Sequence, residues 1–274
     1  MFNFFANIFG YILNFIYNLV QNYGIAIIIF TILLKLCMLP MSIKQQKTMK
    51  KTAKIQAELR NLQDKYSNDP VRLNQETMDL YKKEDMSPFS GCLSSILQMI
   101  VIISIFYLVS RPLTYMLHVD ADLINNYVTD IQTESSQQVN YQEIAVIREF
   151  AKKDDRVKIN MDFLGLDLSS IPSQNFSDWK VFVIPTMYVI TSMVSMKLTT
   201  RMQSIKAEQK EENEEMVEDE TISEMNKTMN MMMPFMSVSI SLIAPLGLAL
   251  YWLVSNLLMI IERIIINKVF KEEA

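Results

Sequence analysis

Residues 24–42 read GIAIIIFTILLKLCMLPMS, a run long and apolar enough to cross a bilayer, with one lysine, Lys35, inside it. A helix rises about 1.5 Å per residue and a bilayer core is about 30 Å thick, so about 20 apolar residues span it. Lys35 precedes Lys44 by nine residues, which puts its ammonium roughly 13 Å inside the water boundary. A buried charge costs about 2.5–3.5 kcal/mol on insertion scales. The ten residues Ile25–Leu34, nearly all Ile, Leu or Phe, offset this at about 0.3–0.6 kcal/mol each, so the segment still inserts. Lys35 then either snorkels to the interface or faces a hydrated cavity between helices. The rest of the chain favours the cavity, because other apolar segments also carry polar stripes.

Long apolar runs alternate with densely charged ones along the 274 residues. That segregation is the pattern of a polytopic membrane protein with aqueous loops. The two cysteines, Cys37 and Cys92, have no CxxC partner, and His118 is the sole histidine. Metal sites and Cys/His or Ser/His catalysis therefore lack their parts. No Gly-rich phosphate loop occurs. The expectation is a protein that is not an enzyme and has no cofactor, no metal and no small-molecule substrate.

Residues 1–23 carry no charged side chain. Asn3, Asn7, Asn14 and Asn18 share one helical face, and Phe4, Phe5, Ile8, Phe9, Ile12, Phe15, Ile16 and Leu19 fill the other. This reads as an amphipathic helix lying in the outer interface. After the first span, 24–42, residues 43–87 are charged and helix-prone and read as a helical hairpin. Asp69 caps and Pro70 opens its second helix. A second span covers 88–110, where Gly91, Ser95 and Gln98 share a stripe. A polar loop of 68 residues follows at 111–178, with a helix expected at 141–152 and a turn at 162–172 that rests on the membrane. The third span is 179–198, with Thr191, Ser192 and Ser195 in its inner part. An acidic connector runs over 199–228, and a Met-rich fourth span over 229–244. The tight turn 245–247, a fifth span at 248–266 and a tail at 267–274 complete the chain.

No Lys or Arg precedes Lys35, whereas 43–87 holds ten. The positive-inside rule places that hairpin in the cytoplasm and the N-terminus outside. The 111–178 loop and the 245–247 turn are then extracellular, and the 199–228 connector and the 267–274 tail cytoplasmic. The expected fold is all-α: five transmembrane helices, an N-terminal interfacial helix and a cytoplasmic helical hairpin.

This order resembles the YidC family of membrane protein insertases, of the shorter bacterial type. The resemblance is carried by KLCMLPMS, IQAELRNLQDKYSNDPVRLNQETMDLYKKE, PFSGCLSSILQMIVIISIFYLVSRPL, MDFLGLDLSSIPS, SMKLTTRMQ and PLGLALYWLVSNLL. It implies a hydrophilic groove within five spans, open to the cytoplasm and to lipid and closed outside. The groove's positive charge matches Lys35, where relatives usually carry arginine. Its other lining residues match Gln98, Ser195 and Trp252, with Ser195 where a glutamine is often found. The hairpin, with Lys47, Lys50, Lys51, Lys54 and Arg60, looks like the family's mobile element that meets clients and the ribosome. The implied partners are nascent membrane proteins, the ribosome, the Sec translocon and membrane lipid. The implied location is the bacterial plasma membrane. The alternative is a small transporter or channel with Lys35 as its ion site. Such proteins often show repeated halves and intramembrane acids, and no repeat is evident here.

Overall fold

The structure is a computed structural model describing residues 2–84, 90–135, 141–208 and 239–272. Its helices are α1 (Phe2–Val20), α2 (Tyr23–Lys65), α3 (Pro70–Lys83), α4 (Ser90–Ser110) and α5 (Pro112–Tyr115). They continue with α6 (Ala121–Ser135), α7 (Gln142–Phe150), α8 (Val183–Glu208) and α9 (Leu246–Glu272). The only strands among the described residues are β1 (Asp162–Phe163) and β2 (Leu166–Asp167), an antiparallel pair. The chain is therefore largely helical. Three helical stretches are long and apolar enough to cross a membrane, namely Tyr23–Gln45, Trp179–Leu198 and Leu246–Ile266, and Ile96–Ser110 is a shorter apolar stretch. Residues 229–238 of the expected fourth span, 209–228 of the acidic connector and 85–89 before α4 lie outside the described residues.

The chain divides into two compact units, the larger formed by Asn3–Leu33 and Ile105 onward, the smaller by Leu34–Ser104. Helix α2 belongs to both, and it is not interrupted at Ser42, where the composition changes. It runs through Pro40 to Lys65. Proline removes one backbone donor and crowds the preceding turn. Here helix-favouring residues on both sides carry the helix past it, so the boundary in composition is not a boundary in structure.

In the larger unit, α1 has three sectors rather than the two expected from its sequence. Ala6, Phe9, Gly10, Leu13, Ile16 and Tyr17 are buried against protein. Phe4, Ile8, Tyr11, Ile12, Phe15 and Leu19 are exposed. The asparagines form a stripe between them. Gly10 is required by a close approach, because a Cβ there would be driven into the Tyr115 carbonyl. Phe9 meets Phe30 of α2 edge-on, with centroids 5.8 Å apart.

The segment after α7 ties several elements together into a cap at one end of this unit. Asn160 is its centre. Its backbone N–H donates to the Tyr17 hydroxyl (2.8 Å) and its side-chain amide donates to the Gln21 carbonyl (3.0 Å). Its carbonyl accepts from the Tyr23 N–H at 3.0 Å. Two residues on, the Asp162 carbonyl accepts from the Asn22 side chain. The Leu168 and Ser170 carbonyls accept from the Gly247 and Leu246 N–H groups, at 3.0 and 2.9 Å. The starts of α2 and α9 thus hang on one short segment. Beneath it Tyr23, Ile27, Leu108, Leu113, Leu246 and Leu248 are almost fully buried. The turn of the β1–β2 pair holds Leu164 at φ 55° and Gly165 at φ 78°.

In the smaller unit, α3 starts as its sequence predicts. The Asp69 carboxylate accepts from the Arg72 N–H at 3.1 Å, and Pro70 takes the first turn. The seam with the end of α2 is narrow. Leu80 is the buried residue of α3, and Tyr66 reaches Glu76 at 3.4 Å with the Arg72 guanidinium 5.2 Å from its ring. A seam this narrow, dense in charge, gives little burial to stabilise the pair.

Candidate functional site

Among the described residues, the apolar helices α8 and α9 pack extensively against each other. Each is apolar around most of its circumference, so composition alone does not fix which faces meet. A polar joint does. Asn256 on α9 donates both protons of its amide to α8, to the Thr191 hydroxyl at 3.2 Å and the Ser192 hydroxyl at 3.1 Å. Thr191 in turn donates to the Tyr188 carbonyl at 2.9 Å. In an apolar setting such a joint is directional and has no water to compete with it. The joint lies between two of the residues singled out by sequence. Ser195 is one turn along α8 from Thr191 and is buried; Trp252 is one turn along α9 from Asn256 and is partly exposed. The Trp252 ring lies 6.1 Å from that of Tyr188, tilted by 34°. The polar joint thus sets the register in which Ser195 and Trp252 are held.

The remaining predicted residues are in the smaller unit. Lys35 lies on α2 within the apolar stretch Tyr23–Gln45 and is partly buried. Gln98 lies on α4 and is partly buried, with Leu97 and Met99 beside it exposed. Lys47, Lys50, Lys51, Lys54 and Arg60 are all on α2, and their side chains lie outside those described. The structure therefore unites Ser195 and Trp252 on one pair of packed helices and describes Lys35 and Gln98 on two further helices, in the other unit.

Sequence reading noticed Thr191 and Ser192 as polar residues of the third span but did not pair them with Asn256 of the fifth. Their signal was three amide- or hydroxyl-bearing side chains at similar depth in two apolar runs. It missed Glu143 entirely. That carboxylate is buried, and its oxygens accept from the Thr114 N–H (3.0 Å) and the Thr114 hydroxyl (2.6 Å), tying α7 to the start of α5. Burial pushes its pKa up, against the hydrogen bonds from Thr114 and Leu113 and the Arg111 charge, which pull it down. Elsewhere in the loop Asp154 accepts from Arg156 and from the Tyr127 hydroxyl, and these bonds hold its carboxyl well below the usual range.

Residues 15–273 match the family model described as 60Kd inner membrane protein. A protein of Rickettsia akari named membrane protein insertase YidC is 30% identical over 258 residues, 94% of this chain and 38% of that protein. Proteins of the same name from Syntrophus aciditrophicus and Caldanaerobacter subterraneus subsp. tengcongensis are 47% identical over 103 residues and 43% over 97. These matches cover 38% and 35% of this chain, and 18% and 47% of those proteins. Each match therefore covers less than half of the relative's own length. With four apolar helical stretches, a polar joint between two of them and a lysine inside the first, the match extends over nearly the whole chain, and the chain belongs to the 60Kd inner membrane protein family, that of the YidC insertases.

Proposed function

We propose that this protein is a membrane protein insertase and chaperone. Five spans enclose a hydrophilic groove open to the cytoplasm and to lipid, lined by Lys35, Gln98, Ser195 and Trp252. The protein sits in the bacterial plasma membrane with its N-terminus outside, and the groove is closed on that side. It acts alone or beside the Sec translocon. The hairpin residues Lys47, Lys50, Lys51, Lys54 and Arg60 meet clients and the ribosome.

The observation that carries this reading is a lysine kept inside an apolar stretch, Tyr23–Gln45, in a chain matching the family over residues 15–273. A hydrated groove shortens the apolar barrier that a client's polar tail must cross. A fixed positive charge in it attracts acidic residues in that tail. At an effective dielectric near 20, a pair at about 4 Å gains about 4 kcal/mol, comparable to the cost of inserting one Asp. The client's apolar segment then leaves into lipid, driven by hydrophobic transfer, and no nucleotide is consumed.

The test is in vivo insertion of single- and double-span clients in cells depleted of the protein and complemented with Lys35→Arg, Lys35→Glu or Lys35→Ala. Arginine supports insertion and glutamate abolishes it. Alanine spares clients with neutral tails and impairs those with acidic tails. Equal insertion with all three would reduce Lys35 to a snorkelling side chain. Normal insertion in depleted cells without a paralogue would refute the insertase itself.

A further inference from the structure

A cleft of about 450 Å³ opens where α4 ends, bounded by α5, α6, the start of α7 and Ile243. Its volume is in the range of small-ligand sites, about 300–1,000 Å³, and no residue assigned above to the insertase groove lines it. Two chemistries divide its wall. Phe106 and Ile243 supply the apolar part, and both are exposed beside it, at 36% and 57%. Ser110, Arg111, Asn125 and Gln142 supply hydrogen-bond donors.

Three observations indicate what the cleft takes. First, the Ser110 hydroxyl is buried and has no hydrogen-bond partner among the described residues. The residue is only 8% exposed, and a buried hydroxyl left unsatisfied is costly unless something bonds to it. Second, Arg111 is the first charged residue after the uncharged helix α4. A cation at the end of an apolar helix lies at headgroup depth, and its guanidinium is 5.9 Å from the Tyr107 ring, an aromatic of the same level. Third, the one carboxylate in the wall, Glu143, turns each oxygen to a donor of Thr114, and the nearby Arg111 charge offsets its own. The groups left for a ligand are therefore donors and a cation, set beside exposed apolar side chains.

We propose that this cleft binds the phosphate of a lipid headgroup. Arg111 pairs with the phosphate, the Ser110 hydroxyl donates to a headgroup oxygen, and the acyl chains leave past Phe106 and Ile243. A guanidinium suits a phosphate because its planar fork offers two parallel donors. The site is a fixed lipid position on the end of α4, separate from the general lipid coat of the protein.

The experiment is native mass spectrometry of the full chain in detergent, titrated with dioleoyl phosphatidylglycerol, with diolein, and with inorganic phosphate. Wild type retains one phosphatidylglycerol at least about tenfold more tightly than diolein, the loss expected when a charge-assisted bond is absent. Arg111→Gln weakens that one adduct about tenfold, and Ser110→Leu, which fills the cleft, removes it. Lys152→Gln, an equal charge change at an exposed position, leaves it intact. Arg111→Gln alters an exposed side chain, so its result stands even if Ser110→Leu fails to fold. Diolein held as tightly as phosphatidylglycerol would overturn phosphate recognition. Inorganic phosphate that binds as tightly and displaces the lipid would make this a free-anion site. Retention unchanged in Arg111→Gln would overturn the assignment of the cleft.

Discussion

Single residues carry three of this protein's unusual energetic features. Leu164 sits at φ 55° with 87% of its surface exposed. A branched L-residue in the left-handed region costs about 1–2 kcal/mol, and two-residue hairpin turns of this kind favour Asn-Gly. Leu164→Asn should therefore raise the melting temperature of the loop, by an amount equivalent to about 0.5–1 kcal/mol, as followed by thermal unfolding. Glu143 gives a pH signature. Burial raises its carboxyl above the ordinary value, which is about 4.3 for glutamate. Between the unfolded and folded pKa values the folded chain holds a proton that the unfolded chain has released. Its contribution to stability is thus present at low pH and falls as pH rises through that window. Wild type should lose stability relative to Glu143→Gln as pH rises above the ordinary glutamate value, read as a change with pH in the difference between their melting temperatures. Asp154 runs the other way. Its lowered carboxyl stabilises the loop above the ordinary carboxylate range, and that stability is lost on acidification. Neither residue could be assigned this role from sequence. A glutamate next to a run of aliphatics is as consistent with an exposed turn as with a buried cap, and the choice rests on Thr114, 29 residues away in the chain.

At the level of elements, the joint between α8 and α9 shows how two featureless apolar helices acquire a register. Asn256 reaches both Thr191 and Ser192. Asn256→Leu should cost about 1 kcal/mol, in line with interhelical bonds in membranes. A disulfide-trapping series between α8 and α9 reads its effect on register. Cysteine pairs matched to the present register should cross-link fast in wild type and lose that preference in the variant. Thr191→Val should have a smaller effect, since Ser192 still accepts from the amide. Sequence reading anticipated a helix opening at Pro70 and one at 141–152, close to the observed α3 and α7, because caps and apolar spacing are local. It did not anticipate α6, although Asp120 caps it at 2.8 Å and Ile124 and Val128 are spaced for one face. Dense polar residues hid that face. Nor did it anticipate that α2 would pass through Pro40, because a proline's penalty is local while the helix is supported over 43 residues.

At the level of the molecule, stability is unevenly spread. The cap concentrates buried side chains and hydrogen bonds between segments far apart in sequence, such as Asn160 with Tyr17 and Leu246 with Ser170. The seam between the end of α2 and α3 has few. Local opening follows that distribution. Amide hydrogen exchange should be slow at Tyr23–Phe30 and Leu246–Leu250 and fast throughout Leu59–Lys83. Protection of the hairpin equal to that of the cap would contradict this. Hydropathy, charge placement and caps are properties of neighbouring residues. They were therefore enough to mark a mostly helical membrane protein, its apolar stretches and the odd lysine in the first of them. Face selection is different, because every side of an apolar helix looks alike to a hydropathy scale. Which side of α1 is buried, how α8 meets α9, that Asn160 locks the cap and that Glu143 ties α7 to α5 all depend on contacts between distant segments, and those exist only once the chain has folded.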